Sequence, residues 1–248
     1  IAFRTDCPQL VIPTTYAGSE MTPILGETEG GVKTTRRDIK ILPETVLYDV
    51  DLTLSLPPGL TVTSGFNAIA HAVEALYARD GNPIVSLMAE DCIRSIAGAL
   101  PRITADPGDR AARASALYGA FLGGAALGAV GMALHHKLCH VVGGSFNLPH
   151  AETHTVILPH AVAYNEAAAP AAMARIAAIV GGARASTALH ELARRVGAPL
   201  SLRSLGMNEA DLDRAADLAL ANPYWNPRPL ERAAIRQLLE NAWAGRPP

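Results

Sequence analysis

Gly65-Phe66-Asn67-Ala68-Ile69-Ala70-His71-Ala72-Val73-Glu74-Ala75-Leu76-Tyr77 is the stretch from which the 248-residue chain is best read. Asn67, His71 and Glu74 stand at i, i+4 and i+7, so an α-helix puts all three on one face of an otherwise apolar segment. Polar groups on a buried helix need partners. Two later segments offer them. His135-His136-Lys137-Leu138-Cys139-His140 holds His136 and His140 one helical turn apart, and Pro149-His150-Ala151-Glu152-Thr153-His154 does the same for His150 and His154. Imidazoles at this spacing build metal sites and proton-transfer sites. Read together, Asn67, His71, His136, His140 and His150 form one polar pocket. His135, His160 and His190 read as ordinary core or surface histidines, and His154 as either.

Working outward, the pattern after Pro57 is helical almost throughout. Apolar spacing predicts helices near 58–79, 83–101, 109–133, 135–145, 150–164, 169–180, 184–196, 208–221 and 229–243. Pro83, Pro107, Pro149, Pro170, Pro199 and Pro229 fall near their boundaries, where proline is tolerated. Asn208 offers an N-cap, with Glu209 and Asp211 following in the first turn. The uncharged run from Ser115 to Leu134 has the length of a membrane span. Its glycines (119, 123, 124, 128 and 131) and its continuation into His135-His136-Lys137 indicate a tightly packed core helix instead.

The first fifty-odd residues differ. Leu10–Thr15 reads as a buried strand with a polar end, and 24–33 and 45–49 as further strands, with Gly30-Gly31 as a turn. A strand needs a sheet, so more sheet is expected upstream. No glycine-rich phosphate loop and no repeat of twenty to fifty residues is present. The composition, 49% hydrophobic and 18% charged with a net charge of −2, can fill a core and gives no reason to expect nucleic acid. Three scattered cysteines (Cys7, Cys92, Cys139) disfavour a disulfide framework and suit a reducing cytoplasm. No signal peptide is expected at Ile1.

The constellation resembles the iron-type alcohol dehydrogenases, a superfamily of dehydroquinate synthase-like fold. That superfamily carries Asp and His four apart on one helix and two further His fourteen apart, as metal ligands. Asn67 and His71 match the first pair, and His136 and His150, fourteen apart, match the second. His140 matches a family histidine beside the nicotinamide and substrate. Pro13-Thr14-Thr15-Tyr16-Ala17-Gly18-Ser19-Glu20 is similar to the family's PTTxGTGSE turn, whose threonines face the cofactor. That turn, the helix containing Asn67, and Asn222-Pro223-Tyr224-Trp225-Asn226-Pro227-Arg228-Pro229 narrow the resemblance to its maleylacetate reductase branch.

The resemblance implies a mainly α architecture: a multi-helix C-terminal domain at 53–248, preceded at 1–52 by a small β-rich remnant of an α/β nucleotide-binding domain. It implies reduction of the C=C bond of maleylacetate, a 4-oxo-2-enedioate, to 3-oxoadipate by NADH or NADPH, in a cytoplasmic homodimer degrading aromatic compounds. The partner is a small dicarboxylate, with neither nucleic acid nor membrane involved. His140, His136 and Tyr224 are the expected catalytic groups. Asn67, His71, His150, Arg228 and Lys33 are expected to bind substrate, and Thr14, Thr15 and Ser19 the cofactor. Tyr224, Arg228 and Lys33 also read as packing or solvated residues.

Asn67 replaces the one anionic metal ligand by a neutral amide, so no required metal is expected; if one binds, His71, His136 and His150 are its ligands. The alternative is a metal-dependent alcohol dehydrogenase of the same superfamily acting on another alcohol or carbonyl compound. A metallohydrolase would lack HExxH and leave Pro13–Glu20 unexplained. A non-catalytic helical module is the remaining reading.

Overall fold

A computed structural model describes residues 2–29, 32–222 and 224–248; the side chains of 28, 29 and 32–34 fall outside this description. The turn expected at Gly30-Gly31 and the side chain of Lys33 therefore lie outside the described residues. The N-terminal part holds α1 (Ala2–Thr5), β1 (Leu10–Val11), β2 (Ile24–Glu29), β3 (Val32–Arg37) and β4 (Thr45–Val46). β1 pairs parallel with β4, and β2 pairs antiparallel with β3 in the register Ile24↔Arg37 and Gly26↔Thr35.

The strands depart from expectation in three places; the first is β3, which continues to Arg37 instead of ending at 33. Leu10–Thr15 is not a buried strand: its ladder stops at Val11, and Leu10 is 63% exposed. Pro13 has no N–H with which to extend the ladder, and Leu10 and its partner Thr45 are both exposed. The strand expected over 45–49 also shortens, because the Asp49 carboxylate accepts from Asp51 N at 2.9 Å and starts a 3-10 turn.

The remaining helices are α2 (Pro58–Leu76), α3 (Pro83–Ala105), α4 (Arg110–Ala129), α5 (Leu134–Ser145), α6 (His150–Asn165), α7 (Pro170–Val180), α8 (Ala185–Arg195), α9 (Leu212–Leu220) and α10 (Arg232–Ala244). Each expected helix is present. Side-chain caps set some starts: Asn82 accepts from Val85 N at 3.0 Å, and Asp109 from Ala112 N at 2.9 Å. Asn208 instead precedes a short 3-10 turn and makes no side-chain cap. α4 ends at Ala129 rather than 133, because the next backbone donors turn to side chains. Gly131 N donates to Asp80 at 3.0 Å and Ala133 N to Glu74 at 2.8 Å.

α6 contributes to two apolar clusters, one shared with α2, α3, α7 and α8 and one with α5, α9 and α10. α2 is buried around nearly its whole circumference, as a central helix must be. The glycines of α4 permit the close packing expected of them. A Cβ on Gly123 would lie 2.9 Å from Ala68 O of α2. Gly18, at φ +77°, and Gly124 touch backbone to backbone, and a Cβ on Gly124 would collide with Gly18 O. This contact docks the N-terminal segment onto α4. Among the described residues no single helix is long and apolar enough to cross a membrane; α4 and α5 pass that test only jointly, and they are bent by 99°.

Candidate functional site

The site grows from Glu74. Its side chain is fully buried on α2 and lies at the N-terminus of α5, where the N-cap Ala133 has no side chain to offer. The carboxylate accepts from Ala133 N and His135 N, both at 2.8 Å, and so supplies the acceptor the helix start requires. The same carboxylate accepts from His136 Nδ1 at 2.7 Å. His136 Nε2 then shares a hydrogen bond of 2.8 Å with His71 Nδ1, one turn before Glu74 on α2. A carboxylate behind an imidazole fixes both ring orientation and tautomer.

Behind this pair lies a second one. His135 Nε2 and His154 Nδ1 are 2.9 Å apart, and Cys139 Sγ is 3.6 Å from His135 Nε2. His154 in turn packs against His150, with ring centroids 4.4 Å apart, and His140 lies 6.4 Å from His136. Burial, reinforced by the neighbouring His136, holds His71 well below the usual imidazole range, and burial does the same for His135 and His154. His135, Cys139 and His154 offer ligand atoms within 4.8 Å of one another, a fully buried group that could hold a metal.

The imidazoles face a cavity of about 310 Å³. Its helical wall carries Asn67 and His71 from α2, His136 and His140 from α5, and His150 and His154 from α6. The opposing wall comes from the N-terminal segment: Ser19, Thr22 and alternate residues of the hairpin. Ile24 and Gly26 of β2 and Thr35 and Arg37 of β3 face the cavity, as cross-strand pairs with a side-chain period of two require. The other face of the ribbon packs away from it: Arg36 lies over the Phe3 ring at 4.5 Å. No Asp or Glu lines the cavity among the described residues. Asn67 Oδ1, Thr22 Oγ1 and His154 Nε2 are buried without a hydrogen-bond partner, and all three residues line this one space. A larger opening of about 640 Å³ shares Thr35 and His140 with it and carries Lys137 and Arg214.

Of the residues singled out in the sequence, Asn67, His71, His136, His140, His150 and Ser19 therefore meet at one cavity. Thr14, exposed, and Thr15, half-buried, do not line it. Tyr224 and Arg228 do not reach it either. Asn226 exchanges amide hydrogen bonds with Asn165 at 3.0 and 2.8 Å, and Tyr164 Oη donates to Pro229 O at 2.7 Å. These bonds bind the proline-rich loop to α6. Arg228 stacks on the Tyr164 ring at 4.2 Å and lines a separate cavity beside His160. The Tyr224 hydroxyl is buried without a partner, and burial raises its pKa. Arg37 and Thr22 also line the cavity and His135 joins the cluster, none of them marked by a spacing motif in the sequence; Glu74, which shares the face of Asn67 and His71, organises the cavity from behind.

Residues 61–243 match the C-terminal model of the Fe-containing alcohol dehydrogenase family. The whole chain is 61% identical to a maleylacetate reductase of Rhizobium sp. strain MTP-10005 and covers 70% of it. Over 245 residues it is also 61% identical to a maleylacetate reductase of Burkholderia cepacia, covering 99% of this chain and 70% of that one. The fold superposes on the crystal structure of maleylacetate reductase from Agrobacterium tumefaciens with a TM-score of 0.97 at 61% identity, over 100% of this chain and 71% of that one. On a 1,3-propanediol oxidoreductase it superposes with a TM-score of 0.89 at 30% identity, covering 95% and 66%. The chain belongs to the iron-containing alcohol dehydrogenase family and, within it, to the maleylacetate reductases.

Proposed function

We propose that this protein is a nicotinamide-dependent reductase that converts maleylacetate to 3-oxoadipate, and that the histidine cavity is where it does so. One observation carries the reading: imidazoles from α2, α5 and α6 converge on a cavity that, among the described residues, has no carboxylate in its wall, which suits a dianion. Its volume is at the small end for ligand sites, as a six-carbon substrate needs.

A nicotinamide, when bound, would supply the hydride that the alkene carbon β to the ketone must accept. Negative charge then grows on the ketone oxygen, and a proton must reach the neighbouring carbon to complete the product. His140 is the half-buried imidazole at the edge of the cavity and donates to that oxygen; such preorganised donors contribute about 3 kcal/mol each. His136 is held by Glu74 and stands beside His140, ready to pass a proton. Asn67, His71 and His150 hold the substrate. Ser19, with Thr14 and Thr15 on the same turn, contacts the cofactor, and residues 1–52 are the edge of the domain that binds it.

Asn67, His71, His136 and His150 offer a metal three imidazoles and an amide oxygen, and the orphaned Asn67 Oδ1 is free to ligate. This neutral set suits a borderline ion such as zinc, which would act as a Lewis acid on the ketone, better than a hard cation. The reading requires none. NADH or NADPH oxidation by the intact enzyme, followed with maleylacetate and product analysis before and after chelation, is the test. Turnover to 3-oxoadipate that survives chelation is expected. No turnover contradicts the function, and turnover lost to chelator and restored by metal contradicts metal independence. His140→Ala is expected to cut turnover by about 10²–10⁴-fold, far more than it weakens cofactor binding; equal loss of both would count against its chemical role.

A further inference from the structure

We propose that Arg37, assisted by Thr22, is the carboxylate receptor of this cavity and gives it its preference for a dicarboxylate. The inference rests on the function proposed above and adds the group that recognises the substrate's charge. Of the cations expected from the sequence, Arg228 is committed to Tyr164 and a different cavity, and the Lys33 side chain lies outside the described residues.

Arg37 is placed by register. It pairs with Ile24, and Asp38 N donates to Pro23 O at 3.0 Å, so the base of the hairpin is pinned beside Thr22. Alternation sends Arg37 and Thr35 toward the cavity and Arg36 toward Phe3. A slip of one residue would exchange these faces. One guanidinium nitrogen of Arg37 donates to Gly128 O at the end of α4, which fixes the side chain and leaves further N–H groups to a ligand. Arg37 has no carboxylate partner among the described side chains, whereas Arg184, Arg194, Arg232 and Arg236 each have one. Among the described residues it is the one guanidinium in a wall whose other nitrogen groups are mainly imidazoles.

Thr22 gives the second, independent sign of a ligand. Its side chain is 3% exposed, its hydroxyl has no partner, and it lines the same space. A buried hydroxyl left unpaired is costly. A carboxylate held by Arg37 accepts from it as well. With one carboxylate at this wall, the enone lies toward His140 across the cavity.

The test is steady-state kinetics of the intact enzyme with maleylacetate and with 4-oxopent-2-enoate, which lacks one of the two carboxylates. Charge-assisted hydrogen bonds contribute roughly 1.5–3 kcal/mol. Accordingly, Arg37→Gln is expected to raise KM for maleylacetate by about 10- to 100-fold with little change in kcat or in cofactor Kd. It should also shrink the preference for the diacid over the monoacid. Thr22→Val should do the same to a lesser degree, and Arg37→Lys should recover part of the loss. Thermal unfolding of each variant checks that it folds, and Thr22→Val carries the test alone if Arg37→Gln does not. An unchanged KM in an enzyme that does reduce maleylacetate overturns the receptor and leaves the function standing. Weaker cofactor binding with unchanged substrate KM also overturns it, by assigning Arg37 to the cofactor.

Discussion

The helical body and the N-terminal segment line the same cavity but are built by opposite means. The helical wall is set in two apolar clusters, and Glu74, His71, His135, His136 and His154 are all nearly or wholly buried. The N-terminal wall is a two-stranded ribbon and a turn, flanked by apolar side chains such as Leu10 and Ile39 that stay 63% and 73% exposed. A two-stranded ribbon is marginal by itself, and here it is held by the Gly18–Gly124 contact and by Arg37 on Gly128. The difference separates two tasks. Under the proposed function, the histidines held by Glu74 sit where packing fixes their geometry, and the proposed carboxylate receptor sits on the lighter element, closer to water.

That contrast can be broken from either side. The largest effect is expected at Glu74→Ala. It leaves the backbone N–H groups of Ala133, His135 and His136, the Tyr77 hydroxyl and His136 Nδ1 without their acceptor, at a cost of about 3 kcal/mol or more in thermal or urea unfolding. A variant as stable as wild type would mean that the carboxylate does not organise the helical wall.

Acid should also act on the helical body first. Burial, with the nearby His190, pushes His160 down to about 4. An unfolded chain therefore binds this proton below the usual 6.5 while the native state refuses it until about 4. Stability is full above 6.5 and falls as pH drops toward 4, losing about 2 kcal/mol at pH 5 from this residue. Denaturation at pH 7 and pH 5, with His160→Gln flattening the difference, checks it; an identical pH slope in the variant removes His160 as a cause.

The junction between the walls gives a third effect, of similar size to that of His160. Gly124→Ala drives a Cβ into Gly18 O and should cost about 1–3 kcal/mol or lift the hairpin. Gly98→Ala on α3, where a Cβ meets nothing within 4 Å, should stabilise by about 0.5–1 kcal/mol. Equal responses at the two glycines would show that the contact does not hold the walls together.

The helical body was the easier half to read from sequence. Its apolar periodicity and the prolines at its boundaries report local structure directly, and only ends set by distant groups were missed. α4 stops early because Asp80 and Glu74 take the backbone donors of Gly131 and Ala133, more than fifty residues away. His71, His136, His140 and His150 were found because their spacing marks shared faces. Glu74 was visible on the face of Asn67 and His71, yet nothing local shows that the start of α5 would come to it. Arg37 was hidden for another reason. In a run such as Lys33-Thr34-Thr35-Arg36-Arg37, alternation says that neighbours diverge, but only the register with Ile24 says which arginine faces the cavity. Arg228 and Tyr224 stand out through the family resemblance of their loop and their donor chemistry, while the bonds that turn that loop away run through Asn165 and Tyr164 of α6.

The most direct measurement is a crystal structure of the intact enzyme with 3-oxoadipate bound. The account requires the product between the two walls, with its ketone oxygen in hydrogen-bond reach of His140 and a carboxylate on Arg37 and Thr22. Product bound instead beside Arg214 or Arg228, with the histidine cavity holding only water, would contradict it.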